Sequence, residues 1–200
     1  MKKIKYSITL FILTLSCALS PAQETPVWTI DKPHCFVNFS IGHMFSVVTG
    51  RFKDFEGDFR YNPNNLKDSK MDFTVKVNSV ETDTPQRNEH LKTADFFDAK
   101  KYPDITFKSA KIVRKSKNKL LLYGKLTIKN ITKDVILLVT ITGHAESAMV
   151  PGIMVLGLDI QTVIKRSDYG VGAGKWSLTD IIGNDANLHI PLELNRPMKK

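Results

Sequence analysis

The chain predicts an all-β fold, a closed up-and-down antiparallel barrel or a sandwich, and three observations lead there. Apolar and polar residues alternate with a period of two along most of the sequence. The alternating stretches are separated by short turns, and only two stretches break the pattern. Strands that follow one another without intervening helices pair as antiparallel neighbours and close a barrel or stack as a sandwich. About eight strands are expected, with short helical or irregular insertions near residues 84–101 and 174–182.

Trp28 to Ile30 begins the first strand, and His34 to His43 continues it with Cys35, Val37, Phe39 and Ile41 on one face. Val47 to Tyr61 is the next extended stretch. Its phase slips by one between Phe52 and Phe55, which predicts a bulge. Pro63-Asn64-Asn65 marks a turn. Met71, Phe73, Val75 and Val77 then alternate with Asp72, Thr74, Lys76 and Asn78, the clearest half-buried strand in the chain.

That strand runs into Thr82–Pro103, where the alternation stops. Thr84 before Pro85 predicts a helix start, with the hydroxyl as cap and proline at the first helical position. Arg87, His90 and Leu91 would share one flank of that helix. Phe96 and Phe97 follow, and Tyr102-Pro103 returns the chain to extended backbone. The segment reads as a polar and aromatic lid on a β body, and Arg87 with Asp98 is the ion pair expected to lock it down.

Ile105 to Val113, Leu120 to Ile128, Val135 to Thr142, Ile153 to Ile164 and Ala186 to Leu194 complete the strands, with the second insertion around Trp176 to Ile182. A barrel of this strand number is either filled by its own side chains or just wide enough to hold one small ligand. Phe36, Phe52, Phe59 and Phe73 could fill it. Gly42, Gly50, Gly57, Gly124 and Gly157 could remove bulk where a ligand passes, or could mark bulges and corners.

Composition excludes several classes. With 42% hydrophobic and 24% charged residues in a chain of 200, one β domain with a sizeable core is expected over residues 23–200. Lys2, Lys3 and Lys5, the apolar run from Ile8 to Leu15 and the small residues to Ala22 form a secretory leader pattern over residues 1–22. The apolar run is too short for a transmembrane anchor. Cys17 offers a lipid anchor instead, but Thr14-Leu15-Ser16 before it fits that signal poorly, so cleavage after Ala22 and export are expected. The formal charge of +9 is spread over turns such as Arg114 to Lys119, without the stacking aromatics of a nucleic-acid groove. The strands lack the paired aromatic belts of an outer-membrane barrel.

Five histidines, His34, His43, His90, His144 and His189, have no metal-ligand spacing, and no metal is expected. An enzyme would have to use His43 or His90 as a base and Arg87 to stabilise an anion, with no nucleophile motif in support. Cys35 is expected to be a buried small hydrophobe.

The order and spacing of several short pieces resemble the YceI-like family. They are Trp28-Thr29-Ile30-Asp31 with His34; Gly42-His43-Met44; Gly50-Arg51-Phe52; Arg87-Asn88-Glu89-His90-Leu91; Phe96-Phe97-Asp98; Lys101-Tyr102-Pro103; Gly124-Lys125-Leu126-Thr127-Ile128; and Ile164 through Gly170. Asn88, Cys35 and Tyr169 depart from the family's common Asp, Ser and Phe. The resemblance implies an extended eight-stranded antiparallel lipocalin-like barrel that binds, stores or transports a long isoprenoid, a polyprenyl lipid or prenyl quinone, without catalysis or a cofactor. A periplasmic stress or quinone-related role goes with it, and a homodimer stays open. The residues expected to meet the ligand are His34, Phe39, His43, Phe52, Phe73, Arg87, His90, Phe97, Tyr102 and Arg166.

Overall fold

Eleven strand segments form one antiparallel sheet that closes on itself in the computed structural model, which describes residues 24–198. The leader expected over residues 1–22, with Cys17, lies outside the described residues. The strands are β1 (Val27–Ile30), β2 (Val37–His43), β3 (Ser46–Phe52), β4 (Phe55–Arg60), β5 (Lys70–Lys76), β6 (Val80–Glu81), β7 (Asp104–Ser116), β8 (Lys119–Ile128), β9 (Ile131–Glu146), β10 (Ile153–Lys165) and β11 (Ile182–Pro197). The one α-helix among the described residues, α1, is Pro85–Lys92. Neighbours run β1-β4-β5-β7-β8-β9-β10-β11, and β11 pairs back onto β1 to close an eight-stranded barrel.

The remaining segments belong to the same staves. β11 pairs with β1 near its C-terminal end and with β2 along its first half, so β1 and β2 are one stave interrupted by a 3-10 turn at Lys32–His34. β3 and β4 are a second, broken at Lys53-Asp54, where the sequence slips phase. β5 and β6 are a third, broken at Val77–Ser79. The strands of the opposite wall run unbroken for 10 to 16 residues. The second expected insertion, near 174–182, contains one short 3-10 turn, Gly174–Trp176, and another, Arg166–Tyr169, precedes it directly after β10.

Inside, the barrel has two halves. At one end Trp28, Tyr61, Leu120, Val139, Leu156 and Leu194 are all at most 2% exposed, and the Trp28 indole donates to the Tyr61 carbonyl at 3.0 Å. That end is packed solid. At the other end, beneath α1, the inward residues of β2, β5, β8 and β11 leave space. Phe36 does not help to fill it, because it lies on the outer face and is 42% exposed.

The glycines account for much of that space. The phenyl ring of Phe39 lies over Gly50, where an added Cβ would sit 2.4 Å from its Cζ and 2.9 Å from the Glu81 carbonyl. Phe107 lies over Gly124 on the neighbouring strand, where a Cβ would be 2.5 Å from the ring and 2.5 Å from the Lys108 carbonyl. Phe59 covers Gly57 in the same way. The rings therefore retract into gaps in the wall, which is neither a ligand passage nor only a bend. Bulges do accompany two glycines, with register shifts beside Gly124 at Ser109/Lys111 and at Gly157/Leu158.

Gly124→Ala should force Phe107 off the wall. We expect a loss of about 1–3 kcal/mol in urea denaturation, as for other overpacked interiors; an unchanged midpoint would show that the ring has room to spare.

Candidate functional site

The hollow half is a cavity of about 330 Å³ running from the centre of the barrel to the underside of α1. That lies at the lower end of the range of small-molecule pockets, about 300–1,000 Å³. Its wall is built of alternate strand residues: Val37, Phe39 and Ile41 from β2, Phe73 and Val75 from β5, Leu122, Leu126 and Ile128 from β8, and Leu188, Ile190 and Leu192 from β11. Its titratable lining groups are His43, Arg87, His90 and Arg166, and among the described residues no carboxylate lines it. A long apolar interior with its few polar groups gathered at one end can hold an apolar chain by burial and its polar end by hydrogen bonds.

The lid is fixed by a buried amide. Asn88 accepts from the Thr82 backbone N–H at 2.8 Å and from the Thr82 hydroxyl at 2.7 Å, and donates to Glu81 at 2.7 Å. Arg87 is gripped beside it. Its Nε donates to the Thr82 hydroxyl at 2.8 Å, and one terminal nitrogen donates to the Thr82 carbonyl at 2.7 Å and the Thr84 hydroxyl at 3.0 Å. Its other terminal nitrogen makes no hydrogen bond among the described residues. The expected pair with Asp98 does not form; Thr82 and Thr84 instead take up the guanidinium's Nε and one terminal nitrogen. The Thr84 hydroxyl is thereby used by Arg87 and makes no cap bond.

Glu81 receives three donors, from Asn88, from Lys53 at 3.1 Å and from the Asp83 N–H at 2.9 Å. The Asn88 amide first, then Lys53 and the Asp83 N–H, hold its carboxyl down at about 2. On the other flank His90 Nε2 lies 3.1 Å from Asp95, which also accepts from the Trp176 indole at 2.9 Å. Those two bonds, His90 before Trp176, keep the Asp95 carboxyl below its ordinary range. The imidazole stands edge-on to Phe96 and Trp176, at 5.0 and 4.9 Å between centroids. Phe97 meets Phe52 of the wall edge-on at 5.9 Å.

Arg166 is buried at the same end, and all five of its N–H donors go to carbonyls: Gly183, Val171, Gly172, Trp176 and Ile182, at 2.7 to 3.0 Å. It lines the cavity as a clamp that closes the loop before β11, without a free donor for a ligand. Burial lowers its pKa, and among the described residues no carboxylate pairs with it.

Of the residues expected around a ligand, the structure brings together Phe39, His43, Phe52, Phe73, Arg87, His90, Phe97 and Arg166. It does not bring His34 or Tyr102 there. His34 ends the turn before β2 and bonds Asp31 at 3.0 Å on the outer surface, since the inward position falls to Cys35. Tyr102 lies at the end of the lid segment, ten residues past α1, with the Lys101 ammonium 5.2 Å from its ring. Sequence reasoning missed Asp95 and Trp176. Asp95 follows His90 by five residues and could have been considered; Trp176 arrives from 81 residues further on. Cys35 is buried, accepts the Glu193 N–H at 3.1 Å, and has its thiol pKa raised by that burial. Among the described residues, no helix is long and apolar enough to cross a membrane.

Comparison with known proteins gives a consistent relationship. The model of the YceI-like domain matches residues 28–194. Protein YceI of Salmonella arizonae is 34% identical over 174 residues, 86% of this chain and 88% of that protein. The crystal structure of Burkholderia cenocepacia BcnA superposes with a TM-score of 0.74 at 28% identity, covering 84% of this chain and 99% of BcnA. A polyisoprenoid binding domain from Saccharophagus degradans, 15% identical, shares the fold with a TM-score of 0.64 over 85% of this chain and 98% of its own.

Arg166→Lys keeps the charge but strands several buried carbonyls, so urea denaturation should show a loss of about 3 kcal/mol. Glu81 gives a pH signature. Because its folded pKa lies below its ordinary value of 4.5, its contribution is present above pH 4.5 and is lost as pH falls towards about 2. Urea midpoints measured across that window should fall for the wild type, and Glu81→Gln should flatten this part of the fall.

Proposed function

We propose, from the premise that this chain belongs to the YceI-like family, that its barrel binds a long-chain isoprenoid or related amphiphilic lipid and carries or stores it without chemical turnover. The observation behind this reading is the cavity of about 330 Å³ itself, apolar along its length and capped by arginine and histidine at one end. Burial of a methylene contributes about 0.8 kcal/mol, so a ten-carbon stretch supplies roughly 8 kcal/mol against the costs of association. The polar end of the lipid would meet the unengaged arm of Arg87 and the imidazoles of His43 and His90. His90 is held in place by Asp95 and by flanking rings, which suits a fixed contact better than a mobile acid or base. The leader pattern over residues 1–22 supports a place of action outside the cytoplasm, in the periplasm.

Extraction of the purified protein into organic solvent followed by mass spectrometry should release a long-chain lipid. Ala186, a small lining residue on β11, provides the counterpart: Ala186→Trp should weaken binding of a fluorescent long-chain fatty acid by about tenfold or more. A protein that releases no lipid and takes up no such probe would refute the reading.

A further inference from the structure

We infer that the lip of the cavity formed by the β2–β3 hairpin and the segment before β11 docks on the surface of a lipid bilayer. This rests on the proposed lipid-binding role and adds where the lipid is exchanged. Five apolar side chains stand out from this lip: Phe45 is 102% exposed, Met44 62%, Val47 61%, Leu178 59% and Ile181 40%. They come from two segments stitched together, with the Met44 N–H donating to the Ile181 carbonyl at 2.9 Å and His43 paired with Ile182.

The same two segments line the cavity through His43, Val48, Trp176 and Ile182. The exposed patch is thus continuous with the cavity rim, so a chain leaving the lumen would pass over apolar surface.

The hairpin chemistry points the same way. His43 pairs with Ser46, leaving Met44 and Phe45 as a two-residue turn. Such turns favour Asn-Gly, which tolerates left-handed backbone and water. Here Met44 holds φ at 49°, a region costly for its side chain, and Phe45 projects fully into solvent. Neither choice stabilises an isolated barrel. Both suit a tip that rests among acyl chains and headgroups, as amphipathic interfacial segments do.

A second copy of the chain fits less well. A stable dimer buries about 20–30 residues a side, far more than this lip offers. The formal charge, +9 for the whole chain and 9 − 3 = +6 without Lys2, Lys3 and Lys5 of the leader, also favours an anionic lipid surface over a second basic copy.

The barrel supplies its own control. Met149 and Val150, 91% and 55% exposed in the β9–β10 turn, lie at the packed end, away from the cavity.

The test uses the full chain with vesicles of phosphatidylcholine and phosphatidylglycerol carrying brominated acyl chains, which quench tryptophan on contact. Trp176 at the lip should be quenched and Trp28 in the packed end should not, so Trp176→Phe should remove the quenched emission. The pair Met44→Ser with Phe45→Ser, and separately Leu178→Ser with Ile181→Ser, should reduce quenching by about fivefold or more. Met149→Ser with Val150→Ser should leave it unchanged. Quenching that survives both lip pairs overturns the inference, as does a concentration-dependent dimer abolished by the lip pairs while quenching persists. Uptake of a fluorescent fatty acid in solution separates the two readings: uptake without vesicle contact sinks the docking surface alone, and absence of uptake sinks the lipid-binding role itself.

Discussion

The structure depends on where its phenyl rings go. An eight-stranded barrel has a lumen that side chains can fill completely, and five of the inward phenylalanines, at 39, 52, 59, 73 and 107, are large enough to do so. The lumen stays open because Phe39, Phe59 and Phe107 each lie against a glycine, occupying the volume that a side chain on the wall would take. Phe73 packs on Phe55 and Phe59 at 5.5 and 6.1 Å and Phe52 on Phe39 at 5.6 Å, so the two remaining rings lie against other rings of the wall. The packed end shows the alternative, where Trp28, Tyr61, Leu120, Leu156 and Leu194 are at most 2% exposed and none of them lines the cavity.

The lid adds an electrostatic counterpart. Both arginines that line the cavity are held by neutral oxygens: Arg87 by threonine hydroxyls and a carbonyl, Arg166 by five carbonyls. A carboxylate partner would have cancelled their charge; dipoles position the guanidinium without doing so. Asn88 belongs to this arrangement. A carboxylate there would stand against Glu81, which instead accepts an amide N–H and stays ionised into strong acid.

Strand faces were legible in the sequence because one period suffices to assign them. Leu120, Leu122, Leu126 and Ile128 point inward as their alternation requires. The phase slip between Phe52 and Phe55 located the break between β3 and β4, and the loss of alternation after Thr82 located the lid. The site was less legible because its contacts cross between elements. That Gly124 receives Phe107 depends on the β7–β8 register, including a bulge, and no single strand encodes it. The saturation of Arg166 depends on loop carbonyls that fold back over it. His34 looked available as a ligand residue because a tight 3-10 turn, invisible in the alternation, sets it on the outer wall.

An open lumen also bears on stability. At about 24 cal/mol per Å³, an empty, dry cavity of 330 Å³ would cost roughly 8 kcal/mol as an upper bound. That is comparable to the whole stability margin of a typical domain, about 5–15 kcal/mol. The packed end and the closed hydrogen-bonded sheet must offset it when the barrel is empty, while any apolar occupant restores the lost contacts and stabilises the folded state by mass action. The same volume that makes room for a chain therefore makes the empty barrel the less stable form, and it couples retention of the occupant to integrity of the wall.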